Sequence, residues 1–288
     1  MTDDSTGSSR DLITDELVSE LIALTEAAGA AILEVYQTEF DVETKSDESP
    51  LTQADLASHR TIEAGLTALT PDIPLFSEES ELPPFEERQT WSRYWLVDPL
   101  DGTKEFVNRN GEFTVNIALI DNQQPVLGIV GVPVRDQVYV GVQGQGAYRL
   151  SRAGSEPDRI ELSGRPMDES TSLVVVASRS HGGERLEQYL HSLADIFGSV
   201  DRTPVGSSLK LCILAEGAAD LYPRLGPTSE WDIAAAHAVL AAAGGEVWAA
   251  DGTDLTYNAK DSVLNPEFFA AADGHYPWRE KLPTVPDK

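Results

Sequence analysis

In Tyr94-Trp95-Leu96-Val97-Asp98-Pro99-Leu100-Asp101-Gly102-Thr103 an apolar strand runs directly into two carboxylates three residues apart. The proline between them forces a turn and removes a backbone donor, so both acids are expected to meet in space as hard oxygen ligands of the kind magnesium takes. Gly102 and Thr103 then open a short turn or helix whose free N–H groups would receive an anion. A plainer role is also open, in which Asp98 and Asp101 build a turn and cap a helix.

Outward from this stretch, Phe113–Ile120, Pro125–Val130 and Gln137–Val142 are rich in β-branched residues and separated by short turns, which predicts an antiparallel meander. Upstream, Leu17, Leu21, Leu24, Ala28 and Leu33 recur at helical spacing and predict a long helix from an N-cap at Asp11 to Tyr36. A second helix follows Thr52, passes through Leu56, His59, Ile62 and Leu66, and stops at Pro71-Asp72-Ile73-Pro74. Beyond Gly164-Arg165-Pro166 the pattern changes. Leu173–Ala177 is a continuous apolar strand, and helical patterns at 184–194, 207–216 and 232–243 alternate with short strands, as in an α/β layer. The expected architecture is α/β. It has an N-terminal α+β part over 11–160 that carries the metal site and a C-terminal α/β part over 161–273 that carries the substrate. Residues 1–10 and 275–288 read as tails, the second because prolines around Trp278 interrupt any regular element.

Composition narrows the function. The chain has 288 residues, 41% hydrophobic and 24% charged, enough for a sizeable core and too apolar for global disorder. Its one cysteine, Cys212, excludes a disulfide framework and a cysteine-rich metal site, and lying among Leu211, Ile213 and Leu214 it reads as a packing residue. The polar, acidic start lacks the features of a secretory signal and no run of 18 apolar residues occurs, so the expectation is a soluble cytoplasmic protein with no membrane insertion. With 48 acids against 21 Lys plus Arg the formal charge is −27, which makes a nucleic acid polymer a poor partner. Only six residues are lysine. That bias suits either a protein adapted to high salt or an ordinary acidic enzyme.

Two further acidic segments stand out. Leu75-Phe76-Ser77-Glu78-Glu79-Ser80 places acids after a strand-like run, though a solvated loop would look the same. In Glu230-Trp231-Asp232-Ile233-Ala234 an acid opens a small-residue helix closed by Gly244-Gly245, where an ordinary cap is the plain alternative. Taken together, Ser77-Glu78-Glu79-Ser80, Asp98-Pro99-Leu100-Asp101-Gly102-Thr103 and Trp231-Asp232 resemble the signature set of the inositol monophosphatase superfamily, from about Asp11 to Asp273. These are lithium-sensitive, magnesium-dependent phosphatases with a layered α-β-α-β-α sandwich, the sugar-phosphatase fold. Lys104-Glu105-Phe106, where inositol phosphatases usually have Thr-Asn-Phe, is similar to the CysQ branch, the 3′(2′),5′-bisphosphate nucleotidases.

The resemblance implies roles by residue. Glu78, Asp98 and the Leu100 carbonyl match the ligands of one Mg²⁺, and Asp98, Asp101 and Asp232 those of a second. Asp55 and Thr103 match the pair that orients the attacking water, with Glu78 also counted in the catalytic set; Asp55 would otherwise be an exposed acid on the second helix. Gly102, Ser207 and Lys210 match substrate contacts, together with Glu78, Leu100, Asp101, Thr103 and Asp232 from the metal site. Ser178-Arg179-Ser180-His181 is similar to another segment near the substrate, giving His181 as a contact, or else is an ordinary loop. Lys104 would touch phosphate or pair with Glu105, and Arg224 is a weaker candidate. Charge counting supports the metals independently. Glu78, Asp98, Asp101 and Asp232 would repel a phosphate ester from an empty site; two Mg²⁺ cancel them, and a third with Asp55 leaves a net positive charge and a water of lowered pKa.

The expected activity is Mg²⁺-dependent hydrolysis of the 3′-phosphate of adenosine 3′,5′-bisphosphate to AMP, with two or three ions and a small nucleotide bisphosphate as partner. The resemblance further implies a role in sulfur metabolism or salt tolerance and leaves a homodimer open. Competing expectations are an inositol-1-phosphate or fructose-1,6-bisphosphate phosphatase, since one metal core supports several leaving groups, and a catalytically silent nucleotide- or metal-binding regulator. The charge balance yields its own test. A salt-adapted chain is expected to gain thermal stability as KCl rises into the molar range, because screening relieves self-repulsion; a melting temperature indifferent to KCl identifies an ordinary acidic enzyme.

Overall fold

The computed structural model describes residues 12–39, 42–44, 50–152, 158–177 and 183–287. The expected tail over 1–10 lies outside them, as does the expected cap at Asp11. Helix α1 spans Asp15–Tyr36 instead, capped by Thr14, whose side chain accepts from the Leu17 N–H at 3.1 Å. Its buried stripe includes Leu17, Leu21, Ala28 and Ile32. Strands β1 (Val42–Thr44) and β2 (Pro50–Thr52) pair antiparallel and lead into α2 (Gln53–Leu69).

A seven-stranded sheet follows in chain order. Strand β3 (Leu75–Ser77), the short α3 (Phe85–Arg88) and β4 (Arg93–Asp101) open it, β3 lying parallel to β4. After the short α4 (Thr103–Val107) come β5 (Thr114–Asp121), β6 (Gln124–Val132), β7 (Gln137–Val142), β8 (Gly146–Ser151) and β9 (Asp158–Leu162), each antiparallel to its predecessor. The meander read from the turns is present, and β9 carries it just past residue 160.

The second half contains β10 (Leu173–Ala177), α5 (Gly183–Phe197), β11 (Val200–Pro204), α6 (Leu209–Ala215), β12 (Leu221–Arg224), α7 (Glu230–Ala242), β13 (Glu246–Ala249) and β14 (Phe268–Ala271). Its five strands are ordered β11-β10-β12-β14-β13, with β10 parallel to both neighbours and β14 antiparallel to both of its own. Strand alternation decides what each face packs against. Trp95, Val97, Ile117 and Leu119 join α1 and α2 in one core. Tyr94, Leu96, Ala118 and Ile120 join α6, α7 and the inner face of the second sheet in another. Leu173, Val175, Leu221 and Phe269 pack outward on Tyr189 and Leu193 of α5. The result is the layered α-β-α-β-α sandwich. Tyr94–Val97 is uniformly apolar because it is covered on both faces.

Two expectations are corrected. Residues 275–287 are anchored, although many of them are exposed: Trp278, which opens the short α8 (Trp278–Lys281), is 1% exposed, sits against Phe197, and donates its indole N–H to the Asp273 carbonyl at 2.9 Å. Prolines stop regular structure there without preventing burial of a large aromatic. Strand β4 also continues through Asp98 to Asp101, past the expected end at Val97. Pairing passes from Asp98↔Asn116 to Asp101↔Thr114, three residues against two, so a bulge holds Pro99 and Leu100. Proline has no N–H for the ladder and is accommodated at such a break.

Helix α7 lies directly on the seven-stranded sheet. Gly128 and Gly141 are cross-strand partners, and a Cβ at these positions would fall 2.0 Å from the Ala235 carbonyl oxygen and 2.4 Å from the Val239 Cα. The small-residue face of α7 and this glycine floor therefore fix the height of the helix. No helix among the described residues is long and apolar enough to cross a membrane. Gly128→Ala is expected to destabilise the fold by about 1–3 kcal/mol through overpacking, seen as a lower melting temperature, whereas Gly226→Ala, with open space around its Cβ position, leaves stability unchanged.

Candidate active site

Three backbone devices bring the acids together. In a regular strand, residues three apart face opposite sides of the sheet. The extra residue of the β4 bulge restores Asp101 to the side of Asp98. The Leu100 N–H donates to Asp98 Oδ1 at 3.0 Å, and the Ser208 N–H donates to Asp101 Oδ2. Glu78 follows β3, and its N–H donates to the Val97 carbonyl at 3.1 Å, which continues the parallel pairing and sets Glu78 beside Asp98. Asp232 and Asp55 are each the third residue of a helix and each closes a capping box. Ser229 N–H donates to Asp232 Oδ2 at 2.9 Å; Thr52 donates to Asp55 Oδ2 from its N–H at 2.8 Å and its hydroxyl at 2.6 Å. The second oxygen of Asp55, Oδ1, accepts from the Thr103 hydroxyl at 3.3 Å, and that hydroxyl lies 3.5 Å from the Leu100 carbonyl. The Ser58 hydroxyl on α2 ties the bulge down through the Pro99 carbonyl at 2.7 Å.

Glu78, Asp98 and Asp232 present one carboxylate oxygen each within 4.8 Å of one another. Asp98 is 1% exposed. Burial, then Glu78, Asp101 and Asp232, all push its pKa well above the usual range. Burial raises Asp232 likewise, with Asp101 and Glu78 adding to it and the Ser229 N–H opposing. Asp101 is pushed up to about 6 by burial, while Lys210 and the Ser208 N–H hold it down. Burial draws Lys210 down to about 8 against the pull of Asp101. An all-oxygen donor set built around the buried Asp98, in which neighbouring acids push up Asp98 and Asp232, fits a hard divalent cation such as Mg²⁺, because the cation supplies the charge that would otherwise come from protons.

A cavity of about 320 Å³ opens beside these acids, lined by Asp101, Thr103, Ser207, Lys210, Arg224 and Asp232 among others. Ser207 sits in the left-handed region (φ 47°) at the turn into α6. Lys210 Nζ donates to the Ser207 carbonyl at 2.9 Å and lies 5.8 Å from the centre of the Tyr222 ring. Arg224 donates to the carbonyls of Gly226 at 3.1 Å and Pro227 at 2.6 Å. Lys104, Lys210 and Arg224 thus all line the cavity, the last two held by neutral carbonyls, in a protein where acids outnumber bases more than twofold (48 against 21).

The family model described as the inositol monophosphatase family matches residues 14–280. This chain belongs to that family. It is 48% identical over 254 residues to the 3′(2′),5′-bisphosphate nucleotidase CysQ of Escherichia coli strain K12, covering 88% of this chain and 98% of the relative. It is 36% identical to the CysQ of Aggregatibacter actinomycetemcomitans, covering 93% and 97%. Among solved structures it is similar to CysQ from Bacteroides thetaiotaomicron, a bacterial member of the inositol monophosphatase family, with a TM-score of 0.78, 40% identity, and 91% and 98% coverage. SuhB from Bartonella henselae, at 21% identity and a TM-score of 0.72, shares the fold over 90% and 95%. Inositol monophosphatase family members are Mg²⁺-dependent phosphatases.

For this family member the structure gathers Asp55, Glu78, Asp98, Leu100, Asp101, Gly102, Thr103, Ser207, Lys210 and Asp232 around one locus. His181 and the rest of Ser178-Arg179-Ser180-His181 lie outside the described residues. Gly102 (φ 89°) adopts a conformation open to glycine, and a Cβ there would be 3.1 Å from the Glu112 carbonyl oxygen. The plain readings of Asp55 and Asp232 are half right: Asp232 does cap a helix, and so does Asp55, which is buried (1%) and not exposed. Sequence reasoning missed Thr52 and Ser229. The spacing Thr52-x-x-Asp55 and Ser229-x-x-Asp232 is the available signal. It also missed Tyr222, which carried none, reading as an ordinary core aromatic.

The raised pKa values have a stability consequence. A carboxyl whose folded pKa lies above its unfolded value of 3.8 contributes stability below that value, and the contribution is lost as pH rises through the folded pKa. In chelator, the melting temperature is expected to fall as pH rises from about 4 to about 7, with Mg²⁺ restoring it at the upper end. Asp98→Asn is expected to flatten that fall and remove the Mg²⁺ effect, both measurable by calorimetric melting.

Proposed function

We propose that this chain is a 3′(2′),5′-bisphosphate nucleotidase that hydrolyses the 3′-phosphate of adenosine 3′,5′-bisphosphate to AMP and inorganic phosphate. One observation carries the reading: relatives of that name align with it over nearly its whole length. A cavity lined both by acids, Asp101 and Asp232, and by the cations Lys210 and Arg224 supports it.

Glu78, Asp98 and the Leu100 carbonyl would hold one Mg²⁺, and Asp98, Asp101 and Asp232 a second, with Asp98 shared; a third ion would involve Asp55. When bound, Mg²⁺ neutralises these acids, polarises the phosphoryl oxygens and acidifies water. The chain's own residues supply orientation. Asp55 is locked by Thr52 through Oδ2, so Oδ1 is left to receive the Thr103 hydroxyl proton. Because that hydroxyl donates to Asp55, its oxygen presents lone pairs to a water proton and aims the water at phosphorus. Lys210, Arg224 and Ser207 receive the phosphate that is not cleaved. No side chain is required as a nucleophile, and Cys212, fully buried in the core between the sheets, takes no part.

Phosphate release at limiting Mg²⁺ is expected to be faster from adenosine 3′,5′-bisphosphate than from inositol-1-phosphate or fructose-1,6-bisphosphate. Equal or faster turnover of inositol phosphate rejects the reading, and no turnover of any of the three points to a silent regulator. Asp98→Asn and Thr103→Ala are each expected to lower kcat by about 100-fold or more with the fold intact by circular dichroism. Wild-type activity in Asp98→Asn rules out the metal assignment.

A further inference from the structure

Glu78 and Asp232 come from opposite halves of the chain and repel one another, so attraction between them cannot hold them within reach of one cation. A buried cluster behind them joins the two segments. Arg88, the last residue of α3, has no exposed surface. Its guanidinium lies 5.6 Å from the centre of the Phe76 ring and 4.9 Å from that of Phe85. Nη1 donates to Asn258 Oδ1 and, at 3.2 Å, to the Lys260 carbonyl; Nη2 donates to the Asp261 carbonyl. Asn258 returns its side-chain N–H to the Arg88 carbonyl at 2.6 Å and donates its backbone N–H to Glu230 Oε2 at 2.8 Å. It does so from the left-handed region (φ 56°), which asparagine tolerates. In parallel, Trp231 meets Phe76 edge-on, with ring centres 5.6 Å apart.

Each limb of this cluster ends on a site acid. Phe76 lies on β3 just before Glu78, and Glu230 and Trp231 immediately precede Asp232. Burying a guanidinium is costly, and an apolar side chain of similar volume would serve stability as well or better. What the apolar side chain would not supply is a directional link across the two segments. We propose that the Arg88–Asn258–Glu230 clasp is a positioning device that sets the separation of Glu78 and Asp232 for a divalent cation, an inference that rests on the metal assignment of those two acids.

The test uses the full chain with Asn258→Gly, Arg88→Met and Glu230→Gln. Asn258→Gly keeps the backbone conformation and the N–H to Glu230 while deleting both side-chain hydrogen bonds between Asn258 and Arg88. The contacts of Arg88 with the Lys260 and Asp261 carbonyls and with the Asp261 carboxylate remain, and Arg88→Met removes those as well. Glu230→Gln keeps the acceptor. Mg²⁺ binding is measured by titration calorimetry and by the rise in melting temperature that Mg²⁺ produces, and turnover is followed against Mg²⁺ and against nucleotide. Asn258→Gly and Arg88→Met are expected to weaken Mg²⁺ binding about 10-fold or more. They should regain turnover at saturating Mg²⁺, with KM for the bisphosphate unchanged, and Glu230→Gln should match wild type. Should Arg88→Met fail to fold, Asn258→Gly decides alone. A wild-type Mg²⁺ affinity in Asn258→Gly, with only the metal-free melting temperature lowered, overturns the proposal. Absence of Mg²⁺ binding by the wild-type protein overturns the metal assignment instead.

Discussion

The constraint that organises this molecule is like-charge crowding. Glu78, Asp98 and Asp232 converge at one locus with Asp101 alongside, Asp98 buried and the other three half-buried, and each of Asp98, Asp101 and Asp232 has its pKa raised by burial and by neighbouring acids. Such a group is not assembled for stability alone, since bringing like charges together away from bulk water costs free energy. The arrangement makes sense as a receptor for hard cations, and the rest of the structure can be read as the means of holding the acids in place until the cations arrive.

Those means are mostly backbone. A bulge at Pro99 and Leu100 turns two acids to the same side of a strand that would otherwise separate them. Two capping boxes clamp one oxygen of Asp55 and one of Asp232 with main-chain N–H groups and so fix how each carboxylate is turned. The glycine floor formed by Gly128 and Gly141 seats α7, and so sets how close the N-terminus of that helix comes to β4. Each device acts through main-chain geometry, which moves less than a side chain would under the repulsion it opposes.

How much of the site was legible followed from how local each signal was. Asp98 and Asp101 share one strand end, so their partnership is visible within four residues of sequence. Glu78 and Asp232 became persuasive only in combination with that segment, because an acid after a strand or at a helix start is an everyday feature of a chain this acidic. Lys210 stood out because lysine is scarce. Tyr222 offered no such contrast, and its place against Lys210 depends on how β12 packs beside α6. The C-terminal segment was misjudged because its prolines predict the loss of regular structure correctly but say nothing about where Trp278 is buried.

Hydrophobic periodicity and turn residues are local properties of the chain, and they determined the element types, the meander and the α/β character of the second half, while the candidate site residues were legible only through the resemblance of short motifs. Only the tertiary structure decided which faces meet, because packing α7 between two sheets joins residues more than a hundred positions apart. It also decided that Asp98 and Asp101 share a side, since a one-residue register shift depends on a cross-strand partner that the segment itself does not contain. The crowding that makes these carboxylates hard to ionise together without a cation is likewise a property of the assembled layers.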